Sequence, residues 1–267
     1  MAKGVKPGIN RNDVYSIQCP IPPLPEQQRI VAILDEALAG VATAVAHTER
    51  NLQNAKELFE SYLNGVFANP GEGWEEIILR EVTEVKDGTH DTPKYKKEGI
   101  PFVTQKNIRA SGLSFSNVRY ISEEDHVKFF RRSNVTNGDI LISMIGANRG
   151  MVCLVDDDRT FSIKNVGLIK ASDKFHDQYL LYYLKSGDAK MYIDVASRGG
   201  AQQFISLKKL REFPVVIAPM NEQLRIASKL DALAAEVQRL EAIYRQKLAA
   251  LDELKKSILQ EAFSGEL

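Results

Sequence analysis

Cysteine and histidine are scarce in this 267-residue sequence, which limits the metal and disulfide chemistry available to it. The two cysteines, Cys19 and Cys153, stand far apart and fit neither a paired metal motif nor a disulfide framework. The 4 histidines are scattered, and neither His-Glu-x-x-His nor Cys-x-x-Cys occurs. We therefore expect no metal site, and a reducing cytoplasm as the location of the protein.

Targeting and catalytic motifs are missing as well. The first residues contain no apolar run typical of a signal peptide, and no run approaches the ~18 consecutive apolar residues of a membrane helix. The glycine-rich segment 146–150 lacks the Lys-Ser/Thr pair of a phosphate-binding loop. The Asn-Pro-Pro-aromatic motif of adenine methyltransferases is also absent. We expect a soluble, non-catalytic chain that carries no cofactor of its own.

A net charge of one sign is lacking too, because 35 basic residues balance 35 acidic ones. An attraction to nucleic acid would therefore have to come from a local patch. Residues 86–135 contain ten Lys and Arg against six Asp and Glu, and this excess marks the one candidate patch.

What the sequence does contain is an internal repeat without gaps. Residues near Glu26 match residues near Glu222, an offset of 196, and the agreement continues through Phe67 and Phe263. The best-matched pairs are Pro23 with Pro219, Glu26 with Glu222, Gln27 with Gln223, Arg29 with Arg225 and Ile30 with Ile226. Such agreement over some 60 positions makes the repeat the strongest signal in the sequence.

Each copy of the repeat predicts a proline-bounded extended junction followed by a long helix. The first helix should start after Pro25 and end near Phe67, and Asn221 should cap the second helix. Apolar residues then recur at alternating steps of four and three, which is typical of a coiled coil, with Thr48 as a polar exception. Because neither stripe can be buried alone, we expect the two helices to pair in antiparallel orientation.

The segment between the helices has short apolar runs in place of heptads. Strands are predicted at 77–79, 102–103, 139–143, 152–155 and 166–169, and one helix over 178–192. The expected fold is α+β, with one globular recognition domain between two long antiparallel coiled-coil helices. The predicted boundaries are 1–25 for the end of a preceding domain and its junction, 26–68 for the first helix, 72–213 for the globular domain, 214–221 for the second junction and 222–264 for the second helix.

Three loops of this domain mix Lys and Arg with Asn, Gln and His, side chains that hydrogen-bond base edges and phosphates. On that basis the candidate DNA-contacting residues are Lys86, Thr89, His90, Lys94, Lys96, Gln105, Lys106, Asn107, Arg109, Arg149, Arg198, Gln202 and Gln203. The same residues would also suit ordinary solvated loops. The loops alone therefore leave a DNA-binding role open.

Taken together, these features resemble the specificity subunits of type I restriction-modification systems. The resemblance rests on the repeated junctions 22–31 (PPLPEQQRIV) and 218–226 (APMNEQLRI). It extends to 138–143 (GDILIS), to 179–184 (YLLYYL) with 199–202 (GGAQ), and to the domain start at 74–88. It covers essentially the whole chain.

The resemblance implies a division of labour. The globular domain would read one half of a bipartite DNA target, and the coiled coil would set the half-site spacing, so that lengthening the first helix by one heptad changes the spacer. The helices would also dock methyltransferase subunits, which supply S-adenosylmethionine, and restriction subunits would join afterwards.

The chain departs from the full family pattern because it carries one recognition domain and a fragment. Half-size subunits of this kind imply a homodimer, whereas a truncated chain would lack a second domain for the other half-site. The rival hypothesis from another class is a coiled-coil protein-interaction module with no DNA role.

Overall fold

The computed structural model describes residues 8, 10–17, 21–197 and 203–267. It separates into two compact units. Met1–Ala55 and Gln238–Leu267 form the first, here called the helical unit, and Lys56–Val237 form the second, here called the mixed unit. Cys19 lies outside the described residues, and Cys153 is buried in the mixed unit, where burial raises the pKa of its thiol to about 12.

Two helices of 45 residues each dominate the element order: α2 (Leu24–Ala68) and α8 (Met220–Ser264). A short α1 (Arg11–Tyr15) precedes them, capped by the Asn10 side chain. The prediction that α2 starts after Pro25 is wrong by two residues. Proline is tolerated in the first turn of a helix because the first N–H groups have no acceptor there.

Asn221 lies inside α8 and does not cap it, contrary to the sequence prediction. The helix begins directly after Pro219, whose carbonyl accepts from the backbone N–H of Glu222 at 2.8 Å. The predicted end of α2 is confirmed, since it stops one residue past Phe67 and the Asn-Pro-Gly sequence follows.

Within the helical unit, the buried positions of α2 recur every seven residues at Val41, Thr48 and Ala55. This is the spacing of a coiled-coil seam. At the start of α2, the Arg29 guanidinium donates to the carbonyl of Leu267 at 2.5 Å, so the beginning of α2 contacts the end of the chain.

One 18-residue window of α2 is long and apolar enough to cross a membrane by length and composition, with a mean hydropathy of 1.6. The window is not an uninterrupted apolar run, because charged residues such as Asp35 and Glu36 lie within it. Of the window, 6% is buried in the structure. Core helices of soluble proteins and signal sequences share this length and apolar character, so the window is weak support for a membrane span.

The mixed unit combines short strands and short helices. Its elements are β1 (Glu75–Ile78), α3 (Leu79–Val82), β2 (Val85–Asp87), β3 (Ile100–Thr104), β4 (Ile108–Arg109), β5 (Gly112–Leu113), β6 (Arg119–Ile121), α4 (Glu123–Ser133), β7 (Ile140–Ser143), β8 (Val152–Leu154), β9 (Ser162–Lys164), β10 (Val166–Ile169), α5 (Asp177–Lys185), α6 (Gly187–Ala196), α7 (Leu207–Arg211) and β11 (Pro214–Ile217). A 3-10 turn (Gln105–Asn107) follows β3. The five predicted strands are therefore confirmed within one or two residues, except that Leu79 begins α3.

The described strands form a four-stranded sheet of order β2-β10-β7-β8, a three-stranded sheet of order β6-β3-β9, and two two-stranded pairs, β1-β11 and β4-β5. All described pairs are antiparallel except β3 with β9. Every residue of β7 and β10 is buried, which explains why these two strands are continuous apolar runs in the sequence.

The single helix predicted over 178–192 is wrong, because the chain forms α5 and α6 with a break at Ser186. Ser186 is fully buried, and its hydroxyl accepts from the backbone N–H of Ala189, so it caps α6. On the other side of α5, Phe67 packs edge-on against Tyr179 and Tyr183, with ring centroids 5.5 and 5.2 Å away. The end of α2 is thereby anchored in the core of the mixed unit.

Candidate nucleic-acid interface

Several loops of the mixed unit meet at one edge because of strand register. The parallel strands β3 and β9 end together, with Thr104 opposite Lys164. In the neighbouring sheet, the last residue of β7, Ser143, lies opposite Val166, the first residue of β10. Since only Asn165 separates β9 from β10, the ends of both sheets adjoin there. We call this region, residues 88–92, 105–107, 144–150, 164–165 and 203–204, the loop edge.

Contacts between these segments fix their proximity. Thr89 forms a bridge with Lys164, and the backbone N–H of Asn165 donates to the Thr89 carbonyl at 3.1 Å. The Ser143 hydroxyl reaches the amide oxygen of Gln105 at 3.4 Å. Ile145 forms a bridge with Phe204, which brings the segment at 203–204 to the same edge. Loops held by a rigid sheet are the usual carriers of binding residues.

A buried carboxylate organises the first side-chain cluster. The Asp87 side chain is 7% exposed, and Arg132 of α4 contacts it through Nε at 2.9 Å and Nη2 at 2.7 Å. His90 lies 3.1 Å from the other Asp87 oxygen, and its Nδ1 lies 2.6 Å from the Asn165 amide oxygen. The His90 side chain nevertheless remains 61% exposed. Both ring nitrogens of His90 are therefore engaged, and the cluster holds the imidazole fixed at an exposed position.

Lysines surround this cluster. Lys128 of α4 binds Asp91 at 3.0 Å, and this hydrogen bond holds the pKa of the Asp91 carboxyl below its usual range. The Lys164 ammonium donates to the Thr92 hydroxyl at 2.6 Å, and Lys106 is exposed on the 3-10 turn. Ammonium groups so placed can meet the phosphates of a nucleic-acid backbone.

A second cluster centres on Arg149, in the loop after β7. Its Nη2 binds Asp194 of α6 at 2.6 Å, and its Nη1 donates to the amide oxygen of Gln203 at 2.9 Å. The Arg149 side chain is only 13% exposed, whereas Gln203 is exposed.

Of the residues predicted from sequence, five lie at the loop edge with polar side chains that are at least partly accessible. They are His90, Gln105, Lys106, Arg149 and Gln203. Lys94 is exposed two residues beyond the first of these loops. Their role as DNA contacts stays a prediction.

Three predicted residues lie elsewhere in the mixed unit. Lys86 is inside β2 and contacts Glu84 at 3.1 Å. Lys96 forms a bridge with Tyr120, and Arg109 is exposed on the β4–β5 hairpin. Arg198 and Gln202 lie outside the described residues.

Thr89 and Asn107 are buried and serve the backbone, so we leave them out of the proposed contact surface. The Thr89 hydroxyl accepts from the N–H of Asp91 at 3.1 Å. The Asn107 amide accepts from the N–H of Thr104 at 3.0 Å and donates to the carbonyl of Ser114 at 2.9 Å. Sequence reasoning selected them by residue type, although such side chains often satisfy turns instead.

Sequence reasoning selected neither Lys164 nor Asn165, and it counted Lys128 and Arg132 in the basic patch 86–135 without selecting them as contacts. Lys128 and Arg132 stand four residues apart, a spacing that puts them on one helix face. Asn165 separates two apolar runs and adopts the left-handed conformation at φ 52°, as asparagine does in tight turns. Both signals were present in the sequence.

The comparison with protein families identifies the class to which this geometry belongs. The family model described as "Type I restriction modification DNA specificity domain" matches residues 71–248, more than half of the chain. The chain therefore belongs to this family.

Characterised relatives agree with this assignment. The chain is 26% identical to the EcoBI specificity subunit of Escherichia coli, over 93% of its own length and 58% of that subunit. It is 25% identical to the EcoKI specificity subunit of Escherichia coli strain K12, over 97% and 61%. This chain thus spans about three fifths of the length of these relatives.

Solved structures share the fold. A chain solved in a study of complex assembly and conformational transition of the type I R-M system matches with a TM-score of 0.81 and 25% identity, over 98% of this chain and 65% of that one. The HsdS subunit from Thermoanaerobacter tengcongensis matches with a TM-score of 0.63 and 25% identity, over 100% and 65%.

Proposed function

We propose that this chain recognises one half of a bipartite DNA target through the loop edge, as the specificity part of a type I restriction-modification complex. The observation that carries the proposal is the convergence of His90, Lys106, Lys164 and Asn165 on one edge of a domain of this family. Lysines there would neutralise phosphates and set orientation, while the amide groups would reach base edges in the major groove.

We further propose that α2 and α8 pair as an antiparallel coiled coil that spaces two half-sites. Two contacts support this pairing. In the helical unit, Arg29 near the start of α2 binds the carbonyl of Leu267. In the mixed unit, the Lys229 ammonium of α8 lies 5.0 Å from the centre of the Tyr62 ring of α2. The apolar window of α2 then serves helix pairing, and a membrane span is not needed to account for it.

Methylation and cleavage of DNA would be carried out by partner subunits. Methyltransferase subunits would dock on the helices and supply S-adenosylmethionine, and restriction subunits would join the complex. Methylation of an adenine requires the base to leave the helical stack, and a pocket for it belongs to the methyltransferase in this proposal. This chain would contribute binding energy and register only.

Two copies of the chain would act together, and the internal repeat supports this homodimer. Gln223 is buried: its amide donates to the Ala218 carbonyl at 2.8 Å and accepts from the N–H of His176 at 2.7 Å. In the first copy, Gln27 makes the corresponding bond to Pro22 at 2.7 Å. The repeat pair four residues further on, Val31 and Ala227, differs in burial.

Ala227 is 2% exposed, whereas its counterpart Val31 is 55% exposed. The first junction thus repeats the hydrogen bond of the second while its apolar face stays open within the described structure. We propose that the same face of a second copy covers it.

Sedimentation analysis of the full chain tests the homodimer, with Val31→Glu as the disrupting variant. We expect a dimer for the native chain and dissociation for the variant, because a carboxylate would be buried at the contact. Leu58→Glu, at an equally exposed position of the same helix, serves as the control and should stay dimeric. A native chain that is monomeric at every concentration would instead favour a second recognition domain as the missing cover.

The salt dependence of DNA affinity tests the loop edge. We expect the logarithm of the association constant for a fluorescent duplex to fall linearly with the logarithm of salt concentration. Lys106→Ala and Lys164→Ala should each reduce the slope by about 1, since each removes one phosphate contact. Lys174→Ala is the matched control: it lies beyond the opposite end of β10, and its ammonium binds the Glu81 carbonyl at 2.7 Å.

DNA affinity that does not change with salt, or equal slopes in all three variants, would contradict a phosphate-binding loop edge. The alternative function, a coiled-coil protein-interaction module, is disfavoured by the family membership. Salt-insensitive binding of a protein partner, without DNA affinity, would favour the protein-interaction module instead.

A further inference from the structure

Arg149 joins three segments of the recognition domain at the loop edge. It belongs to the loop between β7 and β8, binds Asp194 of α6 at 2.6 Å, and donates to Gln203 at 2.9 Å. These partners lie 45 and 54 residues away along the chain. One planar guanidinium therefore fixes the mutual position of groups that no local sequence relation holds together.

The loop that carries Arg149 is itself tightly held. The N–H of Gly150 donates to the Ser143 carbonyl at 2.8 Å, and the N–H of Ser143 donates to the Met151 carbonyl at 2.8 Å. Gly150 has a φ of 82°, and a Cβ there would stand 3.0 Å from the Ile193 side chain of α6. The loop thus lies directly on α6, and Arg149 adds a charged bond to that packing.

Direct contact between Arg149 and DNA fits this geometry poorly. The side chain is 13% exposed, and both terminal nitrogens already have acceptors. Its charge is balanced by Asp194, which is 64% exposed beside it and would repel a phosphate. The arrangement suits a residue that acts through its neighbours.

The bond to Gln203 determines which way the amide of that residue faces. Guanidinium nitrogens only donate, so the group facing Arg149 must be the amide oxygen of Gln203. The amide nitrogen, Nε2, is then the group left for a ligand on this exposed side chain. A free glutamine offers both a donor and an acceptor to adenine, whereas this one offers its donors first.

Resting on the proposed function, we infer that Arg149 is a positioning residue that orients Gln203 to donate to a hydrogen-bond acceptor on a base edge. Such acceptors are N7 and O6 of guanine, N7 of adenine and O4 of thymine. Asp194 anchors the guanidinium and is part of the same device. The preference of the protein at one base position then depends on a carboxylate that does not touch DNA.

Selection of bound duplexes from a library with a randomised 20-base-pair core, using the full chain, tests this inference. Gln203→Glu keeps an acceptor for Arg149 and loses the donor. Asp194→Asn and Arg149→Lys release the anchor. We expect each variant to lose about fivefold preference at the same one position of the selected motif, with the other positions unchanged.

Asp194→Asn separates two explanations. If Asp194 acts only through its charge, the variant should bind DNA more strongly and select an unchanged motif. If Asp194 anchors Arg149, the variant should select a relaxed motif. Asp188→Asn, an exposed carboxylate on the same helix α6, is the matched control and should leave the motif intact. Thermal melting of every variant verifies that the fold is kept.

Each remaining outcome counts against a defined claim. A native chain that selects a motif, with Asp194→Asn selecting the same one at every position, overturns the positioning role alone. An Arg149→Gln variant that keeps the motif but lowers the salt slope by about 1 would make Arg149 a direct phosphate contact. A native chain that selects no motif at all overturns the proposed function, and the inference with it.

Discussion

Gly88 stands where the loop edge has the least space for a side chain. A Cβ at this position would come within 2.3 Å of the carbonyl oxygen of Ile163 and 2.8 Å of the backbone nitrogen of Lys164. The end of β2 therefore passes directly over the end of β9. Because backbone atoms block the position, a neighbouring side chain cannot relieve the clash by rotating.

Gly88→Ala should destabilise the fold by about 2 kcal/mol or more, since strands must separate to admit a methyl group. Denaturant unfolding at equilibrium measures the change. Gly40→Ala is the matched control: beyond the backbone of its own helix turn, nothing lies within 4 Å of a Cβ there, and alanine in a helix should stabilise by about 1 kcal/mol. Equal effects of the two substitutions would show that the close approach at Gly88 is relaxed in solution.

At the residue scale, sequence reasoning identified chemical types better than roles. Asn107 and Lys106 are adjacent and were selected by the same argument, yet one is buried on backbone groups and the other is exposed. Lys164 was missed because its proximity to Thr89 arises from a bridge between residues 75 positions apart. Burial and long-range pairing decide these roles, and neither is written in local composition.

The elements themselves were easier to predict. The buried strands β7 and β10 are continuous apolar runs, and the long helices have heptads, so periodicity alone located them. The break between α5 and α6 was missed because apolar residues continue at helical spacing across Ser186. Serine at that point caps a new helix only because the chain turns there, which is a tertiary effect.

Thr48 offers a test at the scale of the α2 helix. It is 1% exposed in the helical unit, and its hydroxyl donates to the carbonyl of Ala44 at 2.7 Å. Thr43 makes the same bond to Ala39 at 2.9 Å but is exposed. The two threonines differ in burial and share their hydrogen bond.

Thr48→Val should therefore raise the free energy of unfolding by about 1 kcal/mol, because it buries a methyl group in place of a hydroxyl. Thr43→Val should change it by less than about 0.5 kcal/mol. Melting and sedimentation of both variants supply the measurement. If Thr48→Val also changes the oligomeric state, the hydroxyl specifies register, as single polar residues do in coiled-coil seams. A loss of stability would contradict the expected gain.

At the scale of the whole molecule, the repeat predicted two helices and a domain between them, and the described elements follow that order. The loop edge could not be predicted in this way. It exists because β2 and β7 both lie beside β10, and because β3 lies beside β9, so residues from five separate segments converge. Strand order depends on contacts between distant parts of the chain, and a single sequence does not encode it in any local pattern.

Matched insertions of one heptad into α2 and α8 test the proposed spacing role. Seven residues lengthen a helix by about 10.5 Å, which corresponds to about three base pairs of DNA. In a host that supplies the methyltransferase subunits, the methylated motif should keep its half-sites and change its spacer. Insertion into α2 alone tests whether the first helix by itself sets the spacer: because seven residues keep the heptad pattern, the spacer should change there too while the half-sites stay the same. An unchanged spacer after the double insertion would rule out the spacing role.

The pairing of β1 with β11 has one more consequence. These are the first and last strands between the two long helices, and they lie side by side, with Glu75 opposite Ile217 and Ile78 opposite Pro214. The segment between these two strands therefore begins and ends at adjacent positions. A gene segment encoding this insert can therefore be exchanged for another that has the same entry geometry and keeps the aromatic packing of Tyr179 and Tyr183 against Phe67. On the proposed function, such an exchange would change the target sequence while the partner subunits stay as they are.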